Sequence, residues 1–217
     1  SAVKAASFIH EKMYEHGNGK LHRRFRDGEA GLDGQLDDYG FLVSGLFSLY
    51  QAEQDPQWLK WALALTAKQI ELFWDSDHGG FFDSVGDETL PFRMKGNYDG
   101  AEPAGNSIAA ANLLRLGSVI MNPDWLEKGA LCSEIFSSQM TDQPTVLPEM
   151  LNTWRLAQSK PLQIIICGPR NRKDTRRMLK TAHRMYAPDK IVLLADNDEN
   201  EQYLADQLPY ITDLEMV

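Results

Sequence analysis

The chain has 217 residues and 24.5 kDa, with 43% hydrophobic residues, 24% charged residues and two cysteines. That excludes a disordered tail, a collagen-like polymer and a disulfide-stapled miniprotein, and predicts a packed globular protein. The formal charge of −9 opposes general attraction to nucleic acid or anionic lipid, so neither is expected as a partner.

In chain order, an amphipathic helix over 5–14 leads into the glycine turn Gly17-Asn18-Gly19. Helices over 38–54 and 57–74 come next, and two more follow over 107–121 and 124–139. Phe41, Leu42, Leu46 and Leu49, then Trp58, Leu59, Ala62, Leu65, Ile70 and Phe73, recur at helical spacing. A shift of 67 residues lays Asp55-Pro56-Gln57-Trp58-Leu59 on Asn122-Pro123-Asp124-Trp125-Leu126. The Asx-Pro pairs suit helix starts, because the Asx oxygen accepts a free N–H and proline has none to satisfy. Each pair of helices is therefore an α-hairpin. Gly17-Asn18-Gly19 and Gly79-Gly80-Phe81-Phe82 predict short β-hairpins between one helical hairpin and the next.

The chain opens on the second helix of a hairpin, and a six-hairpin ring at this period needs on the order of 400 residues. The expectation is a mainly α protein in which residues 1–158 form a partial α/α toroid. Its open side would be covered by the missing half in a longer parent chain or by self-association. A helix over 144–157 carries Leu147, Met150, Leu151 and Trp154.

Beyond it, a strand over 163–167, a helix over 171–186 and a strand over 191–195 predict a small βαβ appendage spanning 159–217. Asn171 and Asp174 read as a capping box for its helix, with Met178, Leu179, Ala182 and Met185 on the buried face. Nine Lys/Arg against two Asp lie between Lys160 and Lys190, a solvated basic face or a contact with the acidic remainder. Cys132 and Cys167 read as small core residues. No apolar run approaches the roughly 20 residues needed to cross a bilayer, Ser1-Ala2-Val3-Lys4 opens no signal core, and the compartment is left unassigned.

Three segments carry a resemblance: Leu36-Asp37-Asp38-Tyr39-Gly40-Phe41-Leu42; Phe73-Trp74-Asp75 with His78-Gly79-Gly80-Phe81-Phe82; and Tyr98-Asp99-Gly100-Ala101-Glu102-Pro103-Ala104-Gly105-Asn106-Ser107. With the strands Ile164-Ile165-Ile166-Cys167-Gly168 and Lys190-Ile191-Val192-Leu193-Leu194-Ala195, they make the chain similar to the C-terminal part of the spermatogenesis-associated thioredoxin-like proteins, related to the bacterial YyaL group. The resemblance implies a long parent with an N-terminal thioredoxin-like domain, absent here together with its Cys-x-x-Cys. It also implies a toroid similar to six-hairpin glycosidases and sugar epimerases, a likeness of fold rather than of reaction.

In such a toroid, residues just before the inner helices surround the central cavity. One loop carries Asp33, Gln35, Asp37, Asp38 and Tyr39; the other carries Tyr98, Asp99, Glu102, Asn106 and Ser107. A sugar site needs carboxylates to move protons, amides and hydroxyls to bind hydroxyl groups, and an aromatic face for the ring. Asp38 and Glu102 are the candidate catalytic pair, with Asp37, Tyr39, Tyr98, Asp99, Asn106 and Trp154 as candidate contacts for a small sugar ligand. The same residues suit another role, since acids at helix starts and Asn or Ser at an N-cap stabilise helices without any ligand. Two functions follow: a carbohydrate-binding or carbohydrate-active fragment, inactive alone, or a non-catalytic scaffold supporting the thioredoxin-like domain. Histidine spacing predicts no metal, and no nucleotide or phosphate-loop motif calls for a cofactor.

Overall fold

The structure is a computed structural model that describes residues 1–86, 92–196 and 208. Its first element, α1 (Ala2–Lys12), leads into an antiparallel sheet of β1 (Tyr14–Glu15), β2 (Lys20–Arg26) and β3 (Glu29–Asp33). The sheet is larger than the short hairpin expected there, because β2 continues past its pairing with β1 to pair with β3 from His22↔Asp33 to Arg26↔Glu29. At the second glycine turn the ladder shrinks to a single bridge, Trp74↔Phe81.

Two helical hairpins follow as the repeat predicts: α2 (Leu36–Glu53) with α3 (Pro56–Phe73), and α4 (Gly105–Val119) with α5 (Pro123–Ile135). Asp55 accepts the Gln57 N–H at 3.0 Å and Asn122 accepts the Trp125 N–H at 3.2 Å, each followed by proline in the first helical turn. The expected helix over 124–139 breaks at Phe136. A short α6 (Ser137–Asp142) and a 3₁₀ turn then lead to α7 (Pro148–Ala157).

The core is built around α4, which buries twelve of its 15 residues and packs on α2, α5 and α7. Its small residues allow this crowding. A Cβ at Gly129 of α5 would meet Leu114 Cγ at 2.8 Å and the Ala110 carbonyl oxygen at 3.1 Å, so the two backbones approach more closely than any larger side chain permits. Asn112, buried on α4, donates from Nδ2 to the Gly40 carbonyl of α2 at 2.8 Å and ties the hairpins together. Trp58, Trp61, Leu59, Leu65 and Phe73 fill the layer behind α2, and Cys132 fills the layer behind α4.

The α/β unit consists of β4 (Gln163–Cys167), α8 (Lys173–Arg184) and β5 (Ile191–Ala195), the strands parallel in register from Gln163↔Ile191 to Cys167↔Ala195. β5 is buried throughout and docks on α2, where Gln51 Oε1 accepts the Val192 N–H at 2.7 Å and Gln51 Nε2 donates to the Val192 carbonyl at 3.1 Å. Two expectations for its helix fail. Arg172, not Asn171, precedes the first turn and no side chain caps it, because Asp174 is engaged with Arg172 and the Thr175 N–H. Met178 and Met185 are exposed, and the buried residues of α8 are Thr175 and Ala182, since the two strands among the described residues cover little of the helix.

Replacing Gly129 by alanine tests the α4–α5 approach. The added methyl must displace Leu114 and the Ala110 carbonyl, so despite alanine's better helix propensity the variant should lose about 1–3 kcal/mol in urea unfolding. An unchanged or higher midpoint would show that the helices are not held this close.

Candidate functional site

The expected site is split by the structure into two polar groups, one at the start of α2 and one at the start of α4. At α2, Asp38 Oδ2 accepts the Gln35 N–H at 2.8 Å and closes the helix start. Arg23 reaches over from β2, placing Nη2 at 3.2 Å from Asp37 Oδ2 and Nη1 at 3.2 Å from Asp38 Oδ2 and 3.1 Å from Gln35 Oε1. Burial raises the Asp38 carboxyl, the Gln35 N–H lowers it, Asp37 raises it and Arg23 lowers it, with a net upward shift. Asp83 joins the group: its carbonyl accepts the Leu36 N–H at 3.0 Å, and burial followed by the Asp37 charge raises its carboxyl.

At α4, Asp99 is buried and its carboxylate is fully engaged. Oδ1 accepts the Ala104 N–H at 2.7 Å and the Ser107 hydroxyl at 2.8 Å; Oδ2 accepts the Glu149 and Met150 N–H groups of α7 at 2.8 and 3.2 Å. Asn106 is equally committed, with Oδ1 accepting the Phe81 N–H at 2.8 Å and Nδ2 donating to the Phe81 carbonyl at 2.9 Å, as a strand partner would. Tyr39 lies in the core against Phe73, and its hydroxyl accepts the Leu21 N–H at 2.9 Å. These three side chains have their polar atoms turned to the protein rather than to a cavity.

The remaining candidates are open to solvent. Tyr98 is 65% exposed, Trp154 is 45% exposed, and Glu102 is exposed with its carbonyl accepting the Gly100 N–H at 3.0 Å. Among the described residues, no group of three or more His, Cys, Asp or Glu side chains is placed to hold a metal. No helix among them is long and apolar enough to cross a membrane. Burial pushes the Cys132 thiol up to about 12, so it is a core side chain without nucleophilic character.

Three participants escaped the sequence reading. Arg23 and Asp83 are supplied by the sheet and by the inter-repeat loop, and nothing in their neighbours marks them. Arg115 did leave a signal, a single charge inside the apolar run Leu113-Leu114-Arg115-Leu116, and it lines a groove away from both expected loops.

In the turn after α3, Asp75 is also buried. Burial raises its carboxyl, but the Lys95 ammonium at 2.7 Å and the N–H groups of Asp77 and His78 outweigh burial and hold it down at about 2. An unperturbed carboxyl titrates at 3.8, so this stabilisation is complete above that pH and fades as pH falls from about 4 to about 2. Urea unfolding at stepped pH should show the stability gap between the native chain and Asp75→Asn narrowing across that window. A gap that stays constant down to pH 2 would contradict a charged, paired Asp75.

For Asp99, replacement by alanine strands two hydrogen-bonded helix starts at once. The expected loss is about 2–4 kcal/mol in unfolding free energy, with Asp99→Asn recovering part of it. A fully stable Asp99→Ala protein would return this carboxylate to the list of ligand contacts.

No protein-family model matches the chain. Among curated proteins it is similar to spermatogenesis-associated protein 20 of Mus musculus, 40% identical over 226 residues and covering 100% of this chain, and to that of Homo sapiens, 40% identical over 223 residues and covering 98%. An uncharacterised protein of Caenorhabditis elegans is 31% identical over 169 residues, covering 73% of this chain and 23% of its own length. The chain spans 28% of the length of the mouse and human relatives. The resemblance to the spermatogenesis-associated proteins therefore holds along the whole chain, over a little more than a quarter of their length.

Proposed function

We propose that this chain is a non-catalytic scaffold segment of a longer protein, with its hairpins forming part of an α/α toroid that supports the thioredoxin-like domain implied by the resemblance. The observation that carries the reading is the Asp99 carboxylate, whose four donors all come from the protein and join the entry of α4 to the start of α7. A carboxylate waiting for a sugar hydroxyl or a glycosidic oxygen needs unspent acceptor capacity, and Asp99 has little left. Asp38 is likewise engaged by the Gln35 N–H and Arg23.

A scaffold also needs a face, and the loop before Asp99 supplies one. Phe92, Met94 and Tyr98 are 71%, 65% and 65% exposed within seven positions, and the loop is anchored by the Met94 carbonyl accepting the Asp83 N–H at 2.8 Å. The thioredoxin-like domain is the proposed occupant of that face. The carbohydrate reading keeps one observation in its favour: Asp38 and Asp83 flank Asp37, and both carboxyls are shifted upward, as a general acid requires.

One pair of experiments separates the two. Replacing Phe92, Met94 and Tyr98 together by serine should leave the unfolding midpoint of this chain unchanged while exposing the domain junction of the longest natural parent to limited proteolysis. Saturation-transfer NMR of the same parent with mono- and oligosaccharides should give no signal that depends on Asp38. A sugar signal that disappears in a folded Asp38→Asn parent would replace the scaffold with a carbohydrate site.

A further inference from the structure

We propose that the groove between α2, α4 and α7 binds a small oxyanion-bearing molecule, a carboxylate or phosphate ester with neighbouring hydroxyl groups, through the guanidinium of Arg115. The site is distinct from the loops at the starts of α2 and α4 and independent of the scaffold reading.

Two cavities meet there. The larger, of about 330 Å³, is walled by Ser44, Ser48 and Gln51 of α2 and by residues 188–191 before and into β5; the smaller, of about 170 Å³, is walled by α7 at Asn152 and Arg155. Arg115 and Asp189 line both. A volume near 300 Å³ is at the small end of the range for small-molecule sites.

The two acids around Arg115 are already engaged by other side chains. Asp189 is taken bidentately by Arg155 at 2.6 and 2.8 Å, and that hydrogen bonding is the first cause that lowers its carboxyl, the Arg115 charge being the last. Glu149 accepts from Asn152 at 3.2 Å. Arg115 itself is partly buried and makes no hydrogen bond or ion pair with any described residue. It therefore presents five N–H donors at the junction of two cavities, in the geometry that binds a carboxylate or phosphate through two parallel hydrogen bonds.

Its surroundings favour an anion. Lys190 lines the larger cavity with its ammonium fixed on the His183 and Met185 carbonyls, so it adds positive potential without closing the space. Arg115, Arg155 and Lys190 face Asp189 and Glu149, an excess of one positive charge within a chain of net charge −9. Ser44 and Ser48, one helical turn apart and without side-chain hydrogen bonds to described residues, line the same cavity and suit hydroxyl groups on the bound molecule.

The test is calorimetric titration of this chain at fixed ionic strength with inorganic phosphate, glucose 6-phosphate, glucuronate and neutral glucose. Glucose 6-phosphate or glucuronate should bind at millimolar concentration or below, whichever is tighter naming the oxyanion, and glucose should not. Arg115→Gln should weaken the bound anion at least tenfold. Asp189→Asn should tighten it several-fold by releasing the Arg155 guanidinium, an effect opposite in sign to loss of a structural ion pair. Ser48→Ala, at an exposed position, should weaken the hydroxyl-bearing anions but not phosphate. The proposal is overturned if no anion binds at 10 mM, or if binding ignores Asp189→Asn and Ser48→Ala in folded variants.

Discussion

A buried carboxylate shared by two helices is the interaction on which the rest of this architecture turns. Asp99 closes the entry to α4 through Ala104 and Ser107 and satisfies the free N–H groups at the start of α7. Because α4 is the helix every hairpin packs on, fixing its start also fixes the register of Asn112 against Gly40 and of Asn106 against Phe81. Small side chains let α4 be surrounded, but a surrounded helix has no water for its polar groups. Its buried polar side chains find protein partners instead: Ser107 on Asp99, Asn106 on Phe81 and Asn112 on Gly40.

That demand explains which parts of the structure could be seen in the sequence. Hairpins were legible because their signals are local: the Asx-Pro pairs at 55–56 and 122–123 act on the two or three residues that follow, and apolar spacing reports a helix face directly. The burial of α4 was legible from its glycines and alanines. The role of Asp99 was not, since two of its donors arrive from 50 and 51 positions later in the chain. The partners of Tyr39 and Asn106 were hidden in the same way: a tyrosine and an asparagine beside helix starts look alike whether they face a cavity or a backbone strand.

Errors at α5 and α8 have a different origin. Periodicity continues past Ile135 into Ser137–Asp142, so the pattern of α5 and α6 reads as one helix although the backbone breaks at Phe136. In α8, helical spacing puts Met178, Leu179, Ala182 and Met185 on one face, and spacing does not say how much of that face the sheet covers. With only β4 and β5 beneath it among the described residues, Met178 and Met185 are left exposed.

The charge asymmetry of the chain resolves into a pattern of spent and unspent cations. Within the basic stretch, Arg170 donates to the Gln54 carbonyl and pairs with Asp196, Arg172 pairs with Asp174, and Lys190 sits on the carbonyls at the end of α8. These contacts stitch the α/β unit into itself and onto the end of α2, so much of the stretch is structural rather than a free anion-binding face. At the helix starts Arg23 is spent on Asp37 and Asp38, and in the turn Lys95 is spent on Asp75. Arg115 differs from all of these. It sits partly buried on α4, most of whose residues are buried, and the nearby acid is committed to Arg155. A fold that places every other cation of this set on an acceptor leaves this one lining a cavity, with no acceptor among the described residues, and the proposed oxyanion would supply it.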